Sequence, residues 1–200
     1  MGSITLVSAH IEAPRAGARL RRWLLALAIG LMPLCASAGE FSVRSASTNL
    51  VDNVYLLDAH VDYSFSSEAL KALDNGIPLT IRLDIEVQRK RTWWFDEDVA
   101  ALEQRYQLRY HAFSQQYLVH NLNSGALYTY PTLASAVEAL GDIRDFPLLD
   151  EKLIQPHEHY EVELRAYLDI EALPSPLRPL AYITPDWRLG SEWYKWSLKP

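Results

Sequence analysis

The chain is 200 residues long, 49% hydrophobic and 22% charged, with a formal net charge of −6. That length suits one domain, and the balance is that of a globular protein rather than a disordered or fibrous one. An acidic chain with a single cysteine is a poor match for nucleic acid or an anionic membrane surface, and it carries no disulfide framework.

Residues 1–38 read as a secretory signal peptide. Arg15, Arg19, Arg21 and Arg22 make a basic start, Trp23 to Leu34 an apolar run, and Ala36-Ser37-Ala38 a cleavage site before Gly39. The apolar run is about a dozen residues, short of the roughly 20 that a membrane-spanning helix needs. The expected localisation is therefore exported and periplasmic, with no stable membrane insertion after cleavage; a membrane anchor formed by an uncleaved signal is the alternative. Cleavage removes four arginines, Glu12 and the only cysteine, Cys35, and lowers the net charge from −6 to −9. The mature form then has no thiol for catalysis or metal binding.

Residues 39–200 read as a single β-rich domain. Phe41 to Ser47 alternates and suits a short edge strand. Asp52-Asn53 is a turn signal, and Val54 to Phe65 alternates again, with Leu57, Ala59, Val61 and Tyr63 on one face and Asp58, His60 and Asp62 on the other. Ser66 to Asn75 changes to helical spacing, with a serine cap and Gly76 to end it. Ile77 to Arg91 is the strongest strand. Ile77, Leu79, Ile81, Leu83, Ile85 and Val87 alternate with polar residues, broken only by Pro78 near the start. One wet face and one apolar face mark an antiparallel sheet.

Val99 to Gln104 suits a helical turn behind Asp96, and Tyr106 to Ala112 another strand. Gln116 to Leu122 and Ala126 to Tyr130 flank Asn123-Ser124-Gly125, a hairpin signal. Thr132 to Gly141 is a capped helix. Asp142 to His159, with Pro147 and Pro156, reads as irregular. Tyr160 to Ile170 returns to strand, Pro174, Pro176 and Pro179 suggest extended chain, and Trp187 to Leu198 closes the sequence. About seven strands with two short helices predict a mainly β fold, an antiparallel two-sheet β-sandwich of immunoglobulin-like or similar type. A single curved sheet with helices on one face is the alternative.

The C-terminal third carries a resemblance. Leu168-Asp169-Ile170-Glu171-Ala172-Leu173-Pro174, Pro176-Leu177-Arg178-Pro179, Trp187-Arg188-Leu189 and Ser191-Glu192-Trp193 are similar to the signature of domain of unknown function 4390, a family of uncharacterised exported bacterial proteins. Trp93-Trp94 and Arg105-Tyr106 with Leu108-Arg109-Tyr110-His111 resemble it too. The resemblance implies an exported protein often encoded near a membrane sensor kinase. It implies no activity and no catalytic residue.

Two aromatic groups are candidate sites. Arg91, Trp93, Trp94, Phe95 and Asp96 follow the strongest strand and combine the residue types enriched at interface hot spots. Continued alternation would place Trp93 and Phe95 in the core and turn Trp94 outward. Trp187, Trp193 and Trp196 offer flat faces for a small ligand. His157-Glu158-His159 lacks the further ligands a zinc site needs, and neither H-E-x-x-H, G-x-S-x-G nor a P-loop is present. Carboxylates that a hydrolase would need are plentiful, Asp84, Glu86, Asp169 and Glu171 among them, and nothing singles out a pair. The sequence therefore predicts a non-enzymatic module without cofactor or metal. Its expected partner is an envelope protein or membrane sensor, and the alternative is a ligand-binding sandwich that uses the C-terminal aromatics.

Overall fold

A computed structural model of the protein describes residues 40–91, 93 and 95–198. The signal-peptide reading of residues 1–38 lies outside the described residues, and so does Trp94.

The described chain forms nine strands in two antiparallel sheets. Strands β1 (Phe41–Val51) and β2 (Val54–Tyr63) make a hairpin. Its corner, Asp52-Asn53, has φ of 49° and 66°, the left-handed pair that suits the twist of a two-residue turn. Helix α1 (Ser67–Asp74) leads into β3 (Leu79–Lys90), β4 (Glu97–His111), β5 (Gln116–Asn121) and β6 (Leu127–Tyr130). Helix α2 (Leu133–Gly141) precedes β7 (Asp142–Asp150), then β8 (His159–Leu168), helix α3 (Arg178–Ile183) and β9 (Tyr194–Leu198). The small sheet has the order β1-β2-β7 and the large one β6-β5-β4-β3-β8-β9. The fold is mainly β with two sheets, as the alternation implies, and the single curved sheet is set aside.

Three local expectations are corrected. Val99 to Gln104 is not a helical turn but part of β4, because β3 pairs with β4 in register from Leu79–Leu108 to Arg89–Glu97. Pairing overrides the helix preference of Ala100, Ala101 and Leu102. Asp142 to Asp150 is not irregular but an edge strand. Pro147 is tolerated there, and register shifts together with the positive φ of Asp145 broke the pattern that marks a strand. The proline-rich segment contains α3, whose first turn holds Pro179, where a missing N–H does no harm.

The core lies between the sheets. Tyr55, Leu57 and Val61 of β2 face Ile81, Leu83, Ile85 and Val87 of β3 and Val162 and Leu164 of β8, all almost fully buried. Each such side chain contributes about 1.5–3 kcal/mol. Helix α2 fits tightly against β2: a Cβ added to Gly141 would stand 2.1 Å from the Val61 carbonyl oxygen. At one end of the sandwich α1 packs with the stretch between β8 and β9, burying Leu73, Leu173, Ala181, Trp187 and Leu189.

Ser66 ties these two pieces together. Its hydroxyl accepts from the Ala69 amide at 3.2 Å and donates to the Asp186 carbonyl oxygen at 2.6 Å. Changing Ser66 to Ala removes a cap and leaves a part-buried carbonyl without its donor, so it should lower stability by roughly 1–3 kcal/mol in urea titration. A loss under about 0.5 kcal/mol, the scale of a surface change, would show that the end cap is not held this way.

Candidate functional site

The β3–β4 connection is the most conspicuous surface feature. Strand β3 ends in Arg89-Lys90 with Arg91 just beyond it, and Asp96 leads into β4, which begins with Glu97-Asp98. The two arms zip together by charge. Lys90 Nζ lies 2.8 Å from Asp96 and 2.9 Å from Glu161 of β8, and the Arg91 amide donates to Asp96 Oδ1 at 3.2 Å. The guanidinium groups of Arg89 and Arg91 both reach Glu97. The hydrogen bond from Lys90 holds the Asp96 carboxyl below its ordinary range, and the bond from Arg89 does the same for Glu97. These acids, which resemble a helix start in the sequence, instead pin the two sides of a hairpin.

Beyond the pinned arms the chain presents aromatic side chains to solvent. Trp93 is 90% exposed and Phe95 95% exposed. This corrects the expectation that both continue the buried face. Alternation governs side-chain direction only inside a strand, and β3 ends at Lys90.

Beside the tip, His157, Glu158 and His159 face Arg89, Lys90, Arg91 and Trp93 across an open groove of about 680 Å³. No local pattern marks this loop as a neighbour of the tip. The register explains it, since β3 and β8 pair antiparallel and set His159 opposite Lys90. Among the described residues, no three His, Cys, Asp or Glu side chains are placed to hold a metal ion.

The tryptophans of the C-terminal segment do not converge. Trp187 is buried in the end cap. Trp193 lies on the outer face of the large sheet, with the Arg165 guanidinium 4.5 Å from its ring centroid and the Tyr167 ring 4.9 Å from the same guanidinium. Trp196 bridges the sheet edges, its indole N–H donating to Thr48 Oγ1 at 3.4 Å. Among the described residues the three rings thus occupy three different places: the end cap, the outer face of the large sheet and the β1–β9 edge.

Two of the four candidate acids, Asp84 and Asp169, are also occupied. Asp169 caps the helical turn that follows it by accepting from the amides of Glu171 and Ala172. Asp84 accepts from Arg82 and Arg165, each at 2.8 Å. On this evidence Asp84 and Asp169 hold structure together rather than face each other across a cleft.

A family model described as "Domain of unknown function (DUF4390)" matches residues 38–197. The chain belongs to this family. No curated protein and no solved structure matches it significantly. Membership in domain of unknown function 4390 therefore brings no activity with it, and any role has to be argued from the geometry.

One consequence of the charged outer face of this domain can be measured. Burial alone would raise the Asp84 carboxyl, but the hydrogen bonds from Arg165 and Arg82 outweigh it and hold the group below its usual value. A carboxyl lowered in the folded state stabilises fully above its unfolded pKa of about 3.9 and loses that contribution as pH falls through the folded value. Asp84→Asn should lower stability at neutral pH by about 2–3 kcal/mol and should flatten the remaining loss of stability below about pH 4. Denaturant midpoints at neutral and acid pH check this, and an unchanged acid limb would contradict it.

Proposed function

We propose that the domain is a non-enzymatic protein-binding or accessory module of the cell envelope, and that the β3–β4 tip is its contact surface. One observation carries the reading: two large aromatic side chains, Trp93 and Phe95, stand at least 90% exposed on a hairpin held by ion pairs. A single exposed ring needs no explanation, but two large rings close together on one fixed hairpin make a patch of the kind that marks an interaction site.

The chemistry suits a protein partner. Trp and Arg lead the residue types that dominate interfaces, and the paired charges around them would form the polar rim. A hairpin fixed by its own ion pairs loses little freedom on binding. Each ring can bury about 150–250 Å², roughly 4–6 kcal/mol gross, against association costs of about 4–15 kcal/mol. Two rings alone support a weak complex, so the groove beside His157 and His159 belongs to the same contact. An exported partner, such as the outer part of a membrane sensor, is the reading that the leader-like N-terminus and the family resemblance favour. The reading that gave a ligand to Trp187, Trp193 and Trp196 is less well supported, because the three rings lie in different places.

The double change Trp93→Ala and Phe95→Ala should leave the melting temperature nearly unchanged, within the roughly 0.5 kcal/mol of ordinary surface changes. It should abolish capture of the envelope partner that the unchanged domain retains after cross-linking. Retention of the same partner by the variant would remove the tip from the interface.

A further inference from the structure

A second cavity lies well away from the tip. It opens between β5–β6 of the large sheet, β7 of the small sheet and α2, and has a volume of about 290 Å³. Four aromatic rings line it, Tyr106, Tyr128, Tyr130 and Phe146. Its polar groups are Asn121, Asp142 and Arg144. Ligand pockets combine an apolar, aromatic wall with a few convergent polar groups and begin at about 300 Å³. This one is large enough for a single ring and no more.

Tyr63 adds an independent observation. It is 8% exposed, and its hydroxyl has no hydrogen-bond partner among the described residues. It sits behind the cleft. A Cβ built on Gly141, between the lining residues Leu140 and Asp142, would stand 3.7 Å from Tyr63 Cε2, on the ring edge next to the hydroxyl. Burial, and then the neighbouring Tyr106, push the Tyr63 hydroxyl pKa up, so it stays protonated and able to donate. Buried hydroxyls without partners are rare, and this one lies behind the cleft wall rather than among the lining residues.

Charge narrows the ligand. Asp142 and Arg144 pair at 2.7 Å, and the bond from Arg144 holds the Asp142 carboxyl below its ordinary range. The cleft therefore has no unpaired charge to offer. A carboxylate would have to displace Asp142 from Arg144, and a cation would compete with Arg144. The Asn121 carbonyl oxygen already accepts from the amides of Asn123 and Ser124, so its side chain offers N–H donors. Tyrosine hydroxyls donate and accept, and their flat faces cover the C–H face of a ring.

We propose that the cleft bounded by Tyr106, Tyr128, Tyr130 and Phe146 binds one uncharged, polyhydroxylated ring of monosaccharide size. The site does not depend on the β3–β4 tip, so either proposal can fail alone.

Saturation-transfer NMR on the full chain tests it, with glucose and N-acetylglucosamine as probes and benzoate and inorganic phosphate as charged comparators. Both sugars should receive transfer with dissociation constants near the millimolar scale expected for so few atoms. Tyr106→Phe combined with Tyr128→Ala should weaken them at least about tenfold, the loss of roughly one good contact, while Trp93→Ala changes nothing. Tyr106→Phe keeps the ring, and an unchanged melting curve will separate lost binding from lost folding. Absence of transfer to either sugar would overturn the proposal. So would stronger binding of benzoate or phosphate, or sugar binding that the tyrosine changes leave intact.

Discussion

Strand β3 is hydrogen-bonded along both edges, to β4 on one side and β8 on the other. Its inward residues, Leu79, Ile81, Leu83, Ile85 and Val87, are each at most 1% exposed. Everything else is placed relative to that doubly paired, one-side-buried strand. A slip of one residue would turn all five apolar side chains to water and bury Arg82, Asp84 and Glu86 instead, so the register has no tolerable alternative. The outward charges reinforce it, because Asp84 can meet Arg165 of β8 only in the observed pairing.

The two surface features of interest follow from what β3 does not constrain. Its far end runs past the core into Arg89, Lys90 and Arg91, and the chain returns through Asp96 and Glu97. Charge pairing across those arms carries the hairpin outward, and no apolar surface is at hand to receive Trp93 and Phe95. The mismatch between a sheet of six strands and one of three produces the other feature. Between strands β5 and β6 on one side and β7 of the small sheet on the other, α2 fills only part of the gap, and the tyrosine-lined cleft is the remainder.

Much of this was legible in the residues, and the misses have common causes. The alternation of β3, the Asp52-Asn53 corner and the Thr132 cap, here a capping box with Ser135, are local signals and were readable as such. Strand β7 was hidden because Pro147 and the left-handed Asp145 interrupt its pattern, which only an edge strand survives. Val99 to Gln104 looked helical because its composition is helical, while the partner that makes it a strand lies across the hairpin. The aromatic stretch after β3 stands out in the residues, but the direction of Trp93 and Phe95 was drawn from an alternation that ends with the strand. The cleft could not be read at all, since its walls come from β4, β5, β6, α2 and β7, and no local pattern announces their meeting.

The central claim is that the protein meets its partner at the β3–β4 tip and not elsewhere. Phe113 provides an internal control. It is as exposed as Phe95, at 96%, but lies in the β4–β5 turn at the opposite end of the large sheet. A strand the length of β3 separates the two positions by about 40 Å. A photo-reactive benzoylphenylalanine placed at position 95 in cells should form a discrete adduct with one envelope protein, and the same group at position 113 should not. An adduct from position 113 alone, or none from position 95, would contradict the account.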